Sequence, residues 1–162
     1  MKLYHGGAVE IQKPDLIYSR ISLDFGRGFY TTSSKEQAIR FAKNLARRTK
    51  QTPIVSTYEF AVHEFSALRT KEFEEDISGW FDYVVFHRTN KEELPTDYDI
   101  VIGPVADDQV ATTLGLFQSQ IVTKDIAIQL LKYWKLTDQF VFKTKEGLAK
   151  LHFIESEVVS DE

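Results

Sequence analysis

The chain has 162 residues, 43% of them hydrophobic and 27% charged, which fits one globular domain with a sizeable core and excludes a disordered chain. A formal net charge of −4 argues against a general nucleic-acid binder, and the lack of cysteine removes disulfides, thiol catalysis and thiolate metal sites. No apolar run follows the opening Met1-Lys2-Leu3-Tyr4-His5, so no signal peptide or spanning helix is expected, and a cytoplasmic location is.

In chain order, residues 2–5 read as a short strand, and 11–22 as irregular chain with a turn at Pro14-Asp15. Residues 29–32 are strand-like after a glycine turn. Ser33-Ser34-Lys35-Glu36 has capping-box spacing, with Ser33 as the cap. The following helix should run to about Thr49, with Ala38, Phe41, Ala42 and Leu45 on its apolar face. Its basic residues Arg40, Lys43, Arg47 and Arg48, with Lys50, read as a solvated outer face.

Residues 54–62 alternate like a strand. Residues 72–88 read as a helix that buries Ile77, Trp80, Phe81, Val84 and Val85. A polar loop over 91–96 leads to a strand at 98–102, stopped by Gly103-Pro104. Val110, Leu114 and Phe117 mark a helix, and Thr123 caps another whose apolar face includes Ile126, Leu130, Leu131 and Trp134. A strand at 140–142, a short helix capped by Thr144 and a last strand at 151–154 complete the domain, assigned to 1–155. The acidic tail, 156–162, should fray. Strands and helices mix without strict alternation, which favours an α+β fold.

Most motifs here have an ordinary explanation. Asp24-Phe25-Gly26 matches the kinase magnesium motif in letters, but the partner motifs are missing. The histidines His5, His63, His87 and His152 lack ligand spacing, so no metal is expected. Gly26-Arg27-Gly28 alone is a tight turn. What stands out is the order of three separated signals: His5-Gly6 on the first strand, Gly28-Phe29-Tyr30 on the strand before a helix, and Asp138-Gln139-Phe140-Val141-Phe142 late in the chain.

This order resembles the His-Tyr-Glu branch of the ADP-ribosyltransferase superfamily, with Gln139 standing where the branch has glutamate. Along nearly its full length the chain is also similar to a bacterial family catalogued as domain of unknown function 3990, which is grouped with these transferases. The resemblance implies a split β-sheet sandwich with flanking helices, and NAD as substrate. It implies that His5 binds a ribose hydroxyl, that the Gly6 backbone holds the nicotinamide amide, and that Tyr30 and Phe41 sandwich the nicotinamide ring. Arg20 and Arg27 suit the pyrophosphate, since guanidinium matches phosphate oxygens. Catalysis would then rest on His5, Tyr30 and Gln139.

Gln139 can hydrogen-bond but carries no charge and cannot act as a general base. Asp24, Glu75, Asp76 and Asp138 are the carboxylates considered as substitutes, although Asp138 should face away from its neighbour Gln139. Three readings follow: a transferase acting on a macromolecule, as a toxin or delivered effector paired with an antitoxin; a nucleotide-binding module without catalysis; or another enzyme on the fold, such as an NAD glycohydrolase or a phosphate-removing RNA enzyme. The sequence gives no strong nucleic-acid signal.

Overall fold

A computed structural model describes residues 1–133 and 136–160. It is a mixed α+β fold with two sheets. β1 (Lys2–Gly7), β3 (Ile54–Glu59) and β7 (His152–Val158) form an antiparallel sheet in the order β1-β3-β7. β2 (Phe29–Thr31), β6 (Asp138–Phe142), β5 (Ile100–Pro104) and β4 (Thr70–Glu72) form the second, in that order, with β4 parallel to β5. The sheets touch where Tyr4 and Thr32 exchange backbone hydrogen bonds of 2.8 and 2.9 Å.

Strand alternation divides the interior into layers. Leu3 and Tyr58 of the first sheet, with Phe60 just after β3, pack on Phe29, Ile100, Ile102, Phe140 and Phe142 of the second. The opposite face of the second sheet presents Val101 and Val141 to α2 (Ile77–Thr89), α3 (Asp108–Gln118) and α4 (Lys124–Leu131), with Phe25 and Trp80 in the same core. α1 (Lys35–Thr49) covers the outer face of the first sheet, burying Ala38 and Ala42 on Val55. Gly6 permits that contact: a Cβ there would lie 2.1 Å from the Ala38 carbonyl oxygen.

Several local expectations hold. α1 ends at Thr49, and Thr123 and Thr144 cap α4 and the short α5 (Lys145–Leu148). Others are corrected by non-local pairing. Ser34, not Ser33, caps α1 through the Gln37 amide, because Ser33 is engaged by Asp138. Residues 70–72 form β4 against β5, so α2 starts only after Asp76, which caps it. Gly103 and Pro104 do not stop β5 but complete its pairing with β6.

Residues 156–158 do not fray, since Ser156, Glu157 and Val158 pair with Ser56, Val55 and Ile54. β3 ends at Glu59, short of residue 62, and residues Val62–Ala67 turn into a 3-10 helix. On α1 the buried stripe is Ala38, Ala42 and Ala46, while Phe41 is 51% exposed. On α4, Ala127 and Leu131 are buried, whereas Ile126 and Leu130 are exposed. Trp134, placed by the sequence on that helix, lies outside the described residues.

Candidate functional site

The loop that precedes β2 is held at Ser19, Asp24, Phe25, Gly26 and Gly28. The Asp24 carboxylate accepts from Arg88 Nε at 2.6 Å. Phe25 is fully buried and meets Tyr83 edge-on at 5.6 Å between ring centroids. Gly26 has φ +72°, a backbone state that glycine adopts at no steric cost. A Cβ at Gly26 would also come within 2.7 Å of His87 Nδ1 and 3.2 Å of Lys143 Nζ. A Cβ at Gly28 would press on Val141 at 2.4 Å, so this glycine lets the loop settle against β6. Ser19 Oγ closes the loop by donating to the Gly28 carbonyl and accepting from the Gly28 amide.

Tyr30 is the centre of this arrangement. Its hydroxyl donates to the Gly26 carbonyl at 2.6 Å and accepts from the Phe25 amide at 2.9 Å. Burial raises the phenol pKa well above its ordinary value, so the hydroxyl keeps its proton. Tyr30 lies opposite Val141 on β6. Gln139, two residues along that strand, therefore shares its face.

His5 reaches β2 through the backbone rather than the Tyr30 ring. Its Nδ1 lies 2.7 Å from the Tyr30 carbonyl oxygen. A carbonyl can only accept, so Nδ1 carries the proton. Burial lowers the pKa of the ring and keeps it neutral, which leaves Nε2 as an acceptor. The imidazole stacks on Phe29 at 4.5 Å, and Gly7 leaves the space beside Nε2 free of a side chain. A neutral acceptor nitrogen suits a hydroxyl donor.

Gln139 is 5% exposed, and its amide nitrogen donates to the Pro104 carbonyl at 3.0 Å. Trp80 Nε1 donates to the same oxygen at 2.9 Å. Asp138 turns the other way, as alternation requires, and its carboxylate binds the Ser33 amide and hydroxyl and the Thr32 hydroxyl. The other carboxylates considered as substitutes are engaged or remote. Asp24 pairs with Arg88, Asp76 caps α2, and Glu75 is exposed.

The structure thus brings His5, Tyr30 and Gln139 onto adjoining strands. Phe41 stands exposed on α1, and Arg20 is exposed on the loop before β2. Arg27 differs: it lines a cleft of about 250 Å³ together with Gly26, Tyr83, His87, Glu93 and Lys143. His5, Gly6, Phe41 and Gln139 are not among its walls.

Lys143 belongs to no motif in the sequence, and His87 stands there only as a histidine without ligand spacing. Burial brings the Lys143 ammonium down to about 8 and, with the nearby lysine charge, the His87 imidazole to about 4. One signal lies in the sequence: Gln139 and Val141 alternate along β6 and Lys143 follows its last residue, so a lysine continues an inward-facing row. Among the described residues, no group of three or more His, Asp or Glu side chains could hold a metal ion, and no helix is long and apolar enough to cross a membrane.

Residues 1–153 match the model of a family described as "Protein of unknown function (DUF3990)". The chain belongs to this family. No curated protein and no solved structure matches it.

Proposed function

We propose that this DUF3990 protein is an NAD-dependent ADP-ribosyltransferase that modifies a macromolecular target. The observation that carries the reading is the hydrogen bond from His5 Nδ1 to the Tyr30 carbonyl, which joins two signals far apart in sequence and presents Nε2 as an acceptor for a ribose hydroxyl. Tyr30 and the exposed Phe41 supply aromatic rings for nicotinamide, and the Gly6 backbone supplies amide contacts. Arg20, exposed on the loop that leads to β2, is offered to the pyrophosphate, whereas Arg27 turns into the separate cleft.

The chemical step breaks the bond between nicotinamide and ribose and develops positive charge on the sugar. In this reading Gln139 positions a ribose hydroxyl, and the acceptor supplies the nucleophile. An effector or toxin role with a neutralising antitoxin fits such an activity.

A second reading has its own support. Gln139 is neutral, nearly fully buried and committed to the Pro104 carbonyl, which favours an NAD-binding module without turnover. The two readings separate in one experiment. Titration calorimetry with NAD should give heat for the wild type and much less for Phe41→Ala, a surface change that leaves the fold intact. Nicotinamide release, followed by chromatography, then decides: release supports transfer or hydrolysis, and binding without release supports the module. Absence of NAD heat in the wild type would remove both readings.

A further inference from the structure

We propose that the cleft beside Gly26 binds a small oxyanion, a phosphate or carboxylate group, between Arg27 and Lys143, at a place separate from the NAD slot. The first observation is an orphan donor. Arg27 Nε is buried and has no hydrogen-bond partner among the described residues. A buried guanidinium nitrogen without an acceptor is costly, and native proteins rarely leave one so unless an ion or ligand completes it.

The second observation is the neighbouring ammonium. The Lys143 residue is 8% exposed, and its Nζ donates to the Phe25 carbonyl. An ammonium has three protons, so two further donors remain for an oxyanion. The third is enclosure. Gly26 leaves the space beside His87 Nδ1 and Lys143 Nζ free, and Tyr83 forms an aromatic wall of the same cleft.

The acidic groups define which anion fits. Glu92, Glu93 and Asp97 also line the cleft, but all three are exposed. Glu93 approaches Arg27 Nη1 at 3.4 Å with its side chain 62% exposed, which leaves Nε unsatisfied. The floor is therefore cationic and the rim acidic. Rim charges are weakened by solvent and salt, whereas the buried Lys143 ammonium and the buried Nε of the half-buried Arg27 keep their pull. Such a site admits one compact oxyanion and repels a polyanion.

The site does not depend on the NAD reading, and the test keeps them apart. Thermal unfolding and calorimetry are run at constant ionic strength with inorganic phosphate, adenosine monophosphate and succinate, each against a chloride control. Phosphate should raise the unfolding temperature and bind saturably, and Arg27→Gln should weaken binding about tenfold or more, because it removes a charge-assisted pair. Arg40→Gln, at an exposed position of α1 outside the cleft, should leave phosphate binding unchanged.

A stronger response to adenosine monophosphate identifies a nucleotide as the source, and a stronger response to succinate a carboxylate; either supports the site when Arg27→Gln abolishes it, and an adenosine monophosphate response that survives Arg27→Gln belongs to the NAD slot and counts against the cleft. Lys143→Met serves as a second variant, and Arg27→Gln carries the test alone if that one does not fold. An oxyanion effect equal in wild type and Arg27→Gln, or no effect of any of the three anions, overturns the proposal. Competitive displacement of phosphate by NAD overturns its separateness.

Discussion

The two ends of the row that β6 turns toward the helices are handled in opposite ways. At one end Gln139 and Trp80 both donate to the Pro104 carbonyl, and this neutral cluster is nearly fully buried. At the other end Lys143 donates to the Phe25 carbonyl beside a cleft that also holds Arg27 and His87. Tyr30 lies opposite Val141, between them, and its hydroxyl fastens the loop at the charged end. The lesson is that one face can hold a satisfied amide and a desolvated ammonium a few residues apart, because what decides is whether a cleft lies beside each.

The largest expected effect comes from removing the residue between the two ends. Tyr30→Ala deletes a half-buried ring and frees the Phe25 amide and Gly26 carbonyl, and should cost about 3–5 kcal/mol in denaturant unfolding. If Tyr30→Ala unfolds like wild type, the two ends are independent. NAD heat should vanish in the same variant.

Next is the charge at the open end. The folded pKa of Lys143, about 8, lies below its ordinary 10.5, so between these values the unfolded chain holds a proton that the folded chain has released. Stability should therefore rise with pH from about 8 to 10.5, by a total on the order of 3 kcal/mol at most. Urea midpoints measured across that window test this, and Lys143→Met should flatten the rise. His87 acts in the same direction at lower pH: with a folded value of about 4 against 6.5, its contribution is complete above 6.5 and is lost as pH falls toward 4.

Placing a charge at the closed end should be somewhat milder. Gln139→Glu sets a carboxyl against the Pro104 carbonyl, which cannot donate to it, and should cost about 2–3 kcal/mol at neutral pH. If Gln139 occupies the catalytic position, the same variant should raise nicotinamide release, and loss of stability without such a gain favours the binding module. The smallest effect belongs to the outer clamp of the loop. Asp24→Asn keeps the shape but removes the charge that Arg88 pairs with, and should cost about 1 kcal/mol. A much larger loss in Asp24→Asn would move the anchor of the loop from Tyr30 to this ion pair.

How far the site could be read from the sequence follows from what each residue depends on. The glycines at 26 and 28, the strand carrying Tyr30 and the caps Thr123 and Thr144 are local features, and local chemistry identifies them. The choice of Ser34 over Ser33 as cap could not be read, because it turns on Asp138, more than a hundred residues away. Of β4 only Glu72 falls within the stretch that reads as helical, and it becomes strand by pairing with Ile102 of β5. Phe41 was placed on a buried stripe by periodicity, yet the close approach allowed by Gly6 lets small alanines fill that contact and leaves the larger ring outside.

By itself the sequence determined an α+β chain, most of the strand and helix order, and a glycine loop that delivers Tyr30 to a strand, because backbone preference and hydrophobic period act over a few residues. Only the tertiary structure decided that Gln139 spends its amide on Pro104, that His5 offers Nε2, and that Arg27, His87 and Lys143 meet at one cleft. Those assignments depend on the register between strands and on which buried groups find partners, and neither is encoded within any single stretch of the chain.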